Sequence, residues 1–358
     1  MRFMKKVLTV VGGRPQFIKV APTSKAIRRK FKEVLVHTGQ HYDPNLSNVF
    51  FKELNIPKPD YNLGVGSGSH GEQTGKILIE LEKVLIKEKP NLVLVFGDMN
   101  STLAGALAAS KLHIKVAHVE AGIRSYNREM AEEINRLATD QISDLLFCPT
   151  KSAVVNLKKE GIFKGVFNTG NVMYDAALAN RKKAESKNNI LKKMGLEKNS
   201  YLYATVHRAE NTDDRRNLAS IFEAFAQSGE TVILPIHPRT KAAIEKHNLD
   251  LTGYPNIRLI DPVGYLENIA LIINAKKVLT DSGGVQEEAY FFEVPCITLR
   301  SDTERIETVQ DGWNVLVGAN KKKILAAIKN FRPNRKQSHP YGNGHAAEKI
   351  VKILEKYV

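Results

Sequence analysis

Short runs of Val, Ile and Leu recur along the chain, each broken by Gly, Asp, Asn or Ser and followed by helical spacing: VLTVVGG, EVLVHTG, NLVLVFGD, KVAHVEAG and DLLFCPT. A strand that is apolar at every residue is covered on both faces, and alternation with helices makes such strands parallel, in βαβ units. The series restarts after VFNTGNVMYDAALANRKKAESKNN, with YLYATVHRAEN, TVILPIHP, NIRLIDP, KKVLTDSGG and VPCITLR. The expected fold is therefore α/β, with two doubly wound domains joined near Thr169 to Asp175 and a cleft between them as the default ligand site. The expected division is 1–170 and 171–345, followed by 346–358 as a closing helix, because GHAAEKIVKILEKYV carries apolar residues at helical spacing.

A chain of 358 residues exceeds the usual size of a single core, which agrees with two domains. No window approaches the roughly 18 consecutive apolar residues of a membrane span. The start, MRFMKKVLTVVGGRP, runs from basic and apolar residues straight into a polar turn without a signal-peptide cleavage pattern, so a cytoplasmic protein is expected. Cys148 and Cys296 lie in apolar contexts and read as small buried residues; neither a disulfide framework nor a metal site is expected. The net charge of +15 raises nucleic acid as a partner. The chain lacks aromatic stacking signatures and a reading module, and lysine-rich stretches such as ANRKKAESKNNILKKMG read as solvated helix faces, so no nucleic acid is expected. The basic balance favours phosphate without deciding for it.

In parallel α/β sheets ligands lie beyond the carboxyl ends of strands, so the residues just after the apolar runs carry most weight. The first such end is GGRPQFIK, where a helix is expected to begin near Pro15. Its amides, with Arg14 and Lys19, suit a diphosphate; a turn with surface cations is the alternative. At VFGDMNSTLAGALAA, Asp98 either caps a small-residue helix or points into the cleft. GVGSGSHG reads as a flexible loop and not as a phosphate cradle.

HVEAGIRSYNREMAEEINR brings Glu120 from a strand end and Glu132 and Glu133 from a helix start, beside Arg124, Arg128 and Arg136. It reads either as a salt-bridge network or as carboxylates converging on one pocket, where burial of one and ionisation of the other would give an acid and a base. In the second half, His207 and Arg208 follow a strand, and His207 is either a tunable catalytic group or a satisfied structural histidine. Ser282, Gly283 and Gly284 open a helix whose bare amides suit phosphate, with Glu288 placed to accept ribose hydroxyls.

Taken in order, GGRPQFIKVAP, FGDMNSTLAGALAA, HVEAGIRS, AEEINR, GNVMYDA, HRAEN, PIHPRT, DSGGVQEEA and TERIETV span nearly the whole chain. The sequence resembles the non-hydrolysing UDP-N-acetylglucosamine 2-epimerases. The resemblance implies a GT-B fold of two Rossmann-like domains around a cleft, a homodimer, and no cofactor. It implies interconversion of UDP-GlcNAc and UDP-ManNAc by elimination of UDP to 2-acetamidoglucal and re-addition, supplying surface polysaccharides. Asp98, Glu120 and Glu132 match the acidic catalytic set and His207 the catalytic histidine, with the division of acid and base between faces left open. Arg14, Lys19, Ser282, Gly283 and Gly284 match diphosphate-side positions, Glu288 the ribose-binding glutamate, and Arg305 the arginine of TER.

Gln40, His41 and His237 match an activating pocket, although Asp43 stands where a longer polar side chain is expected. Ala131 and Ile306 stand where the family commonly has proline. A branch acting on UDP-2,3-diacetamido-2,3-dideoxyglucuronic acid is the alternative substrate class; it tends to carry tryptophan at the position of Arg305. A hydrolysing epimerase and a GT-B glycosyltransferase are the remaining enzyme alternatives.

Overall fold

The computed structural model describes residues 4–40, 50–186 and 189–358. The chain forms two compact units: one runs to Ala179 and takes back His339–Val358, and the other is Asn180–Ser338.

The first unit is built on a parallel seven-stranded sheet of order β3-β2-β1-β4-β5-β6-β7. Its strands are β1 (Lys6–Val11), β2 (Lys32–His37), β3 (Tyr61–Asn62), β4 (Leu92–Phe96), β5 (Lys115–Val119), β6 (Leu145–Cys148) and β7 (Val166–Asn168). Leu8 pairs with Val34 on one side and Val93 on the other, and Val93 with Val116. These central strands are buried along almost their whole length, as continuous apolar runs require when helices cover both faces. The helix Asn100–Lys111 presents Ala104, Ala106, Ala108 and Ala109 to the core, small residues that let it lie close on the sheet.

The second unit repeats the plan with a parallel six-stranded sheet of order β10-β9-β8-β11-β12-β13. Its strands are β8 (Tyr201–Thr205), β9 (Thr231–Pro235), β10 (Ile257–Ile260), β11 (Lys277–Thr280), β12 (Cys296–Thr298) and β13 (Asn314–Leu316). Leu202, Leu279 and Ile297 from the strands pack with Phe222, Phe225 and Ile324 from helices on one core. Both cysteines are free and buried, and no described helix is long and apolar enough to cross a membrane.

The division differs from the one expected at residue 170. The helix Val172–Ser186 starts in the first unit, and residues 339–345 return to that unit with the closing helix. The cause is a polar clasp. The Asn171 amide donates to the Tyr341 carbonyl at 2.9 Å, and the Asp175 carboxylate accepts the first amides of the helix Ala346–Tyr357, from Ala346 at 3.0 Å and Ala347 at 2.8 Å. That helix then buries Ile350, Val351 and Leu354. Asp175 satisfies helix amides from a distant part of the chain, a cap that local sequence does not announce.

Candidate active site

Strand order reverses between β1 and β4 in the first unit and between β8 and β11 in the second, the switch points at whose carboxyl ends parallel α/β sheets take ligands. The sequence-derived candidates fall at these ends. Gly13 is the N-cap of the helix Arg14–Ile27, with Pro15 in its first turn. Arg14 is partly exposed and lies over the Phe50 ring at 5.9 Å. Lys19, one turn further, is buried and ion-paired with Glu120 from the end of β5. Gly97, between β4 and Asp98, passes over this pair: a Cβ there would stand 2.9 Å from Lys19 Nζ and 3.1 Å from Glu120 Oε2. Gln16 joins the two strand ends, accepting from the Gly12 amide at 2.6 Å and donating to the Phe96 carbonyl at 2.8 Å.

Glu120 has φ +77°, the left-handed region that a non-glycine residue rarely occupies. Such strain persists only where the surroundings impose it, and it clusters at functional sites. Those surroundings are a buried network. Asp140 accepts from the Gly122 amide at 3.0 Å, pairs with Arg124 at 2.7 Å and faces His118 Nδ1 at 2.7 Å, while Arg124 also pairs with Glu160 at 2.6 Å. Burial pushes the Asp140 carboxyl up, but His118 and Arg124 outweigh it and leave it below its ordinary value. Burial likewise opposes the Arg124 charge, and Glu160 with Asp140 more than restores it.

Asp98 does not cap the following helix, whose N-cap is Met99; its carboxylate pairs with Arg136. Arg136 also contacts Glu133 at 2.5 Å. Glu133 accepts the Ser125 and Tyr126 amides, each at 3.0 Å, and so ties the loop after Glu120 to the helix Ala131–Gln141. Burial raises the Glu133 carboxyl, while the Ser125 amide and Arg136 bring it below its usual value. Glu132 sits partly buried in the first turn of the same helix, and Asn135 donates from that helix to the Asp98 carbonyl at 2.9 Å. Asp98 and Glu120 thus lie just beyond neighbouring strands, with Lys19 reaching Glu120 from the helix Arg14–Ile27 and Glu132 on the helix to which Asp98 is tied. Salt bridges and clustered carboxylates are both present in this segment.

Gln40 accepts from the Ser101 amide at 3.1 Å and hydroxyl at 2.6 Å, at the head of the helix Asn100–Lys111. His41 and Asp43 lie outside the described residues. His237 belongs to the second unit, where its exposed ring stacks on His207 with centroids 5.0 Å apart.

The second unit centres on Asp281, fully buried just beyond β11. Its carboxylate accepts the backbone amides of His207 and Arg208, both at 2.9 Å, and the Asn211 side chain at 3.0 Å, fixing the turn after β8. His207 Nδ1 is 3.6 Å from the same carboxylate. Ser282 is the N-cap of the helix Gly283–Phe291 and provides no side-chain cap, so the first-turn amides have no acceptor within the helix. A Cβ at position 283 would stand too close to Glu304 Oε1, so a larger residue there would have to displace the Glu304 carboxylate. Arg305, also near Gly283, pairs with Glu287 at 3.1 Å.

Glu288, a turn into the helix, is buried and accepts from Asn268 at 3.1 Å. Burial pushes its carboxyl up to about 8, against the hydrogen bonds of Asn268 and Tyr265. A folded value above the ordinary 4.5 means a stability contribution complete below that value and lost as pH rises through 8. Without nucleotide, Glu288→Gln is therefore expected to match the parent below about pH 4 and to melt at higher temperature than the parent above pH 8; parallel Tm profiles would refute this. Sequence reasoning assigned no role to Gln16, His118, Asp140, Asn268 or Asp281. Position alone, directly after the KVLT run, was the available signal for Asp281.

The sequence pattern of the family described as UDP-N-acetylglucosamine 2-epimerase matches residues 25–355. A Methanococcus maripaludis protein named UDP-N-acetylglucosamine 2-epimerase homolog is 58% identical over 353 residues, covering 98% of this chain and 99% of that one. The UDP-2,3-diacetamido-2,3-dideoxy-D-glucuronate 2-epimerase of Pseudomonas aeruginosa is 49% identical over 361 residues, with coverage of 98% and 99%. The crystal structure of Methanocaldococcus jannaschii UDP-GlcNAc 2-epimerase in complex with UDP-GlcNAc and UDP matches with a TM-score of 0.93 at 49% identity, covering 98% of this chain and 99% of that one. The two parallel sheets with their helix layers are thus a GT-B-like fold. On this agreement of sequence, fold and strand-end chemistry, the chain belongs to the UDP-N-acetylglucosamine 2-epimerase family and is a UDP-sugar 2-epimerase, an isomerase.

Proposed function

We propose that this enzyme interconverts UDP-GlcNAc and UDP-ManNAc by eliminating UDP and adding it back. The observation that carries the reading is Glu120, a carboxylate held in a strained backbone conformation against Lys19 and beside the turn that bears Asp98. The hydrogen on carbon 2 of the sugar has no adjacent ketone, so direct deprotonation would give an unstabilised carbanion. In the proposed route a carboxylate takes that proton while the bond from carbon 1 to oxygen breaks and UDP leaves with the bonding pair, producing 2-acetamidoglucal. UDP oxygen then bonds to carbon 1 again as an acid returns a proton to the opposite face of carbon 2. Protons and electrons balance without a redox partner.

Asp98, Glu120 and Glu132 are the proposed acids and bases. His207, Arg14 and Lys19 would stabilise the departing diphosphate, with the amides of Ser282, Gly283 and Gly284 binding phosphate. Glu288 would hold the ribose hydroxyls. The reading includes a cytoplasmic homodimer serving polysaccharide biosynthesis, with Gln40, His41 and His237 as activator contacts.

Relatives of equal identity act, by name, on UDP-GlcNAc and on the diacetamido-glucuronate nucleotide. Arg305 stands where the uronate branch tends to carry tryptophan, which favours UDP-GlcNAc as the substrate. The test is an NMR time course with each nucleotide in deuterium oxide. UDP-ManNAc appearing with deuterium at carbon 2 is the expected result; exchange only with the uronate nucleotide would transfer the assignment, and free ManNAc as product would mean a hydrolysing enzyme.

A further inference from the structure

We propose that His118 is a positioning residue for proton transfer, held as a doubly protonated imidazolium that fixes the turns bearing Asp98 and Glu120. The role rests on the reading of those two residues as proton-transferring carboxylates; the charge state of the ring does not.

The argument is one of donors and acceptors. His118 is fully buried, with Nε2 2.7 Å from the Gly97 carbonyl and Nδ1 2.7 Å from Asp140 Oδ1. A carbonyl oxygen only accepts, so Nε2 carries a hydrogen. Asp140 already receives the Gly122 amide at 3.0 Å and pairs with the Arg124 guanidinium at 2.7 Å, both of which only donate, and an Arg124 pair at that distance is the contact of an ionised carboxylate. An ionised carboxylate also only accepts, so Nδ1 carries a hydrogen too. The resulting imidazolium belongs to a compensated set: His118 and Arg124 against Asp140 and Glu160. Among the described residues, the buried Cys148 thiol is also coupled to this set, pushed up by burial and by Asp140, and the Lys19–Glu120 pair lies against Gly97, whose carbonyl the ring holds.

The two contacts of the ring act on two different turns. The Gly97 carbonyl belongs to the peptide that leads into Asp98, and holding it orients that peptide beside the Lys19–Glu120 pair. Asp140, anchored by the ring, grips the Gly122 amide and Arg124, and so fixes the chain just after Glu120, where φ is +77°. A neutral ring has one N–H and can satisfy only one of the two turns. One buried charge therefore sets the register between the two candidate carboxylates without touching substrate.

The direct test is nitrogen-15 NMR of the histidine rings in the full-length parent protein at pH 8, with His118 assigned by comparison with His118→Gln. Two protonated ring nitrogens are expected, reverting to one in Asp140→Asn; a single protonated nitrogen in the parent overturns the proposal. In turnover, His118→Ala is expected to lower kcat by roughly 100-fold, the scale of a misplaced catalytic group, with KM and UDP affinity within about twofold. His118→Gln, which keeps one donor, should recover part of that loss. Unchanged kcat in His118→Ala, or a loss explained by unfolding at the assay temperature, overturns the positioning role. If Glu120→Gln turns over normally, the underlying reading fails while the imidazolium signature still stands or falls separately.

Discussion

Glu120→Gln is expected to reduce turnover by roughly a hundredfold or more, the usual scale for a positioned acid or base, while UDP affinity stays within about twofold. The side chain keeps its shape, and its amide oxygen can still accept from Lys19, but it can no longer take or return a proton. The variant carries a second consequence. Lys19 and Glu120 are both buried, and neutralising one partner leaves the other charge uncompensated, which in buried pairs costs about 3–5 kcal/mol when the contact is lost outright. The retained amide contact should hold the cost below that range. Activity therefore has to be measured at a temperature where calorimetry shows the variant folded. Adding Lys19→Met to Glu120→Gln should return stability without returning activity, which separates chemistry from folding. Near-normal turnover in a folded Glu120→Gln protein would remove Glu120 from the acid–base set.

The pattern of legible and illegible features follows from how each is encoded. Central strands were readable because burial on both faces demands apolar residues at every position, and the runs from VLTVV to VPCIT coincide with strands. The strands that escaped notice, Tyr61–Asn62, Val166–Asn168 and Asn314–Leu316, are at most three residues long and lie at sheet edges, where few neighbours constrain composition. Strand ends were readable for the same reason as the strands: Asp98, Glu120, His207 and Ser282 are polar residues at or just beyond apolar runs. The groups that hold them were not. His118 meets Asp140 22 residues away, Glu288 meets Asn268 20 residues away, and His207 meets Asp281 74 residues away. No local periodicity links such partners. The left-handed backbone at Glu120 was equally hidden, since the sequence there offers a glutamate followed by Ala121 and not the glycine that such a φ favours.

Asp281→Ala should be among the most destabilising single substitutions in the second unit. The parent carboxylate accepts the His207 and Arg208 amides and the Asn211 side chain in a fully buried position. Alanine removes the acceptor for all three donors, and each buried donor left without one costs about 1–3 kcal/mol. Since some of these groups will relax or admit water, a total loss of about 3–5 kcal/mol is expected, read as a lower denaturant midpoint at constant slope. Asp281→Asn should behave differently. Its amide oxygen can take the place of the Oδ2 atom that receives the three donors, while its NH2 group replaces Oδ1, giving up the second, 3.1 Å contact with the His207 amide and facing His207 Nδ1, 3.6 Å away in the parent, where a neutral ring nitrogen can accept. Most of the stability should therefore survive in Asn and not in Ala. Turnover should divide along another line: Asn removes the negative charge beside His207, so its kcat should fall even where its fold persists. Equal stability of Ala and parent would show that the turn after β8 is held by something other than Asp281, and would take with it the structural basis for placing His207 in the site.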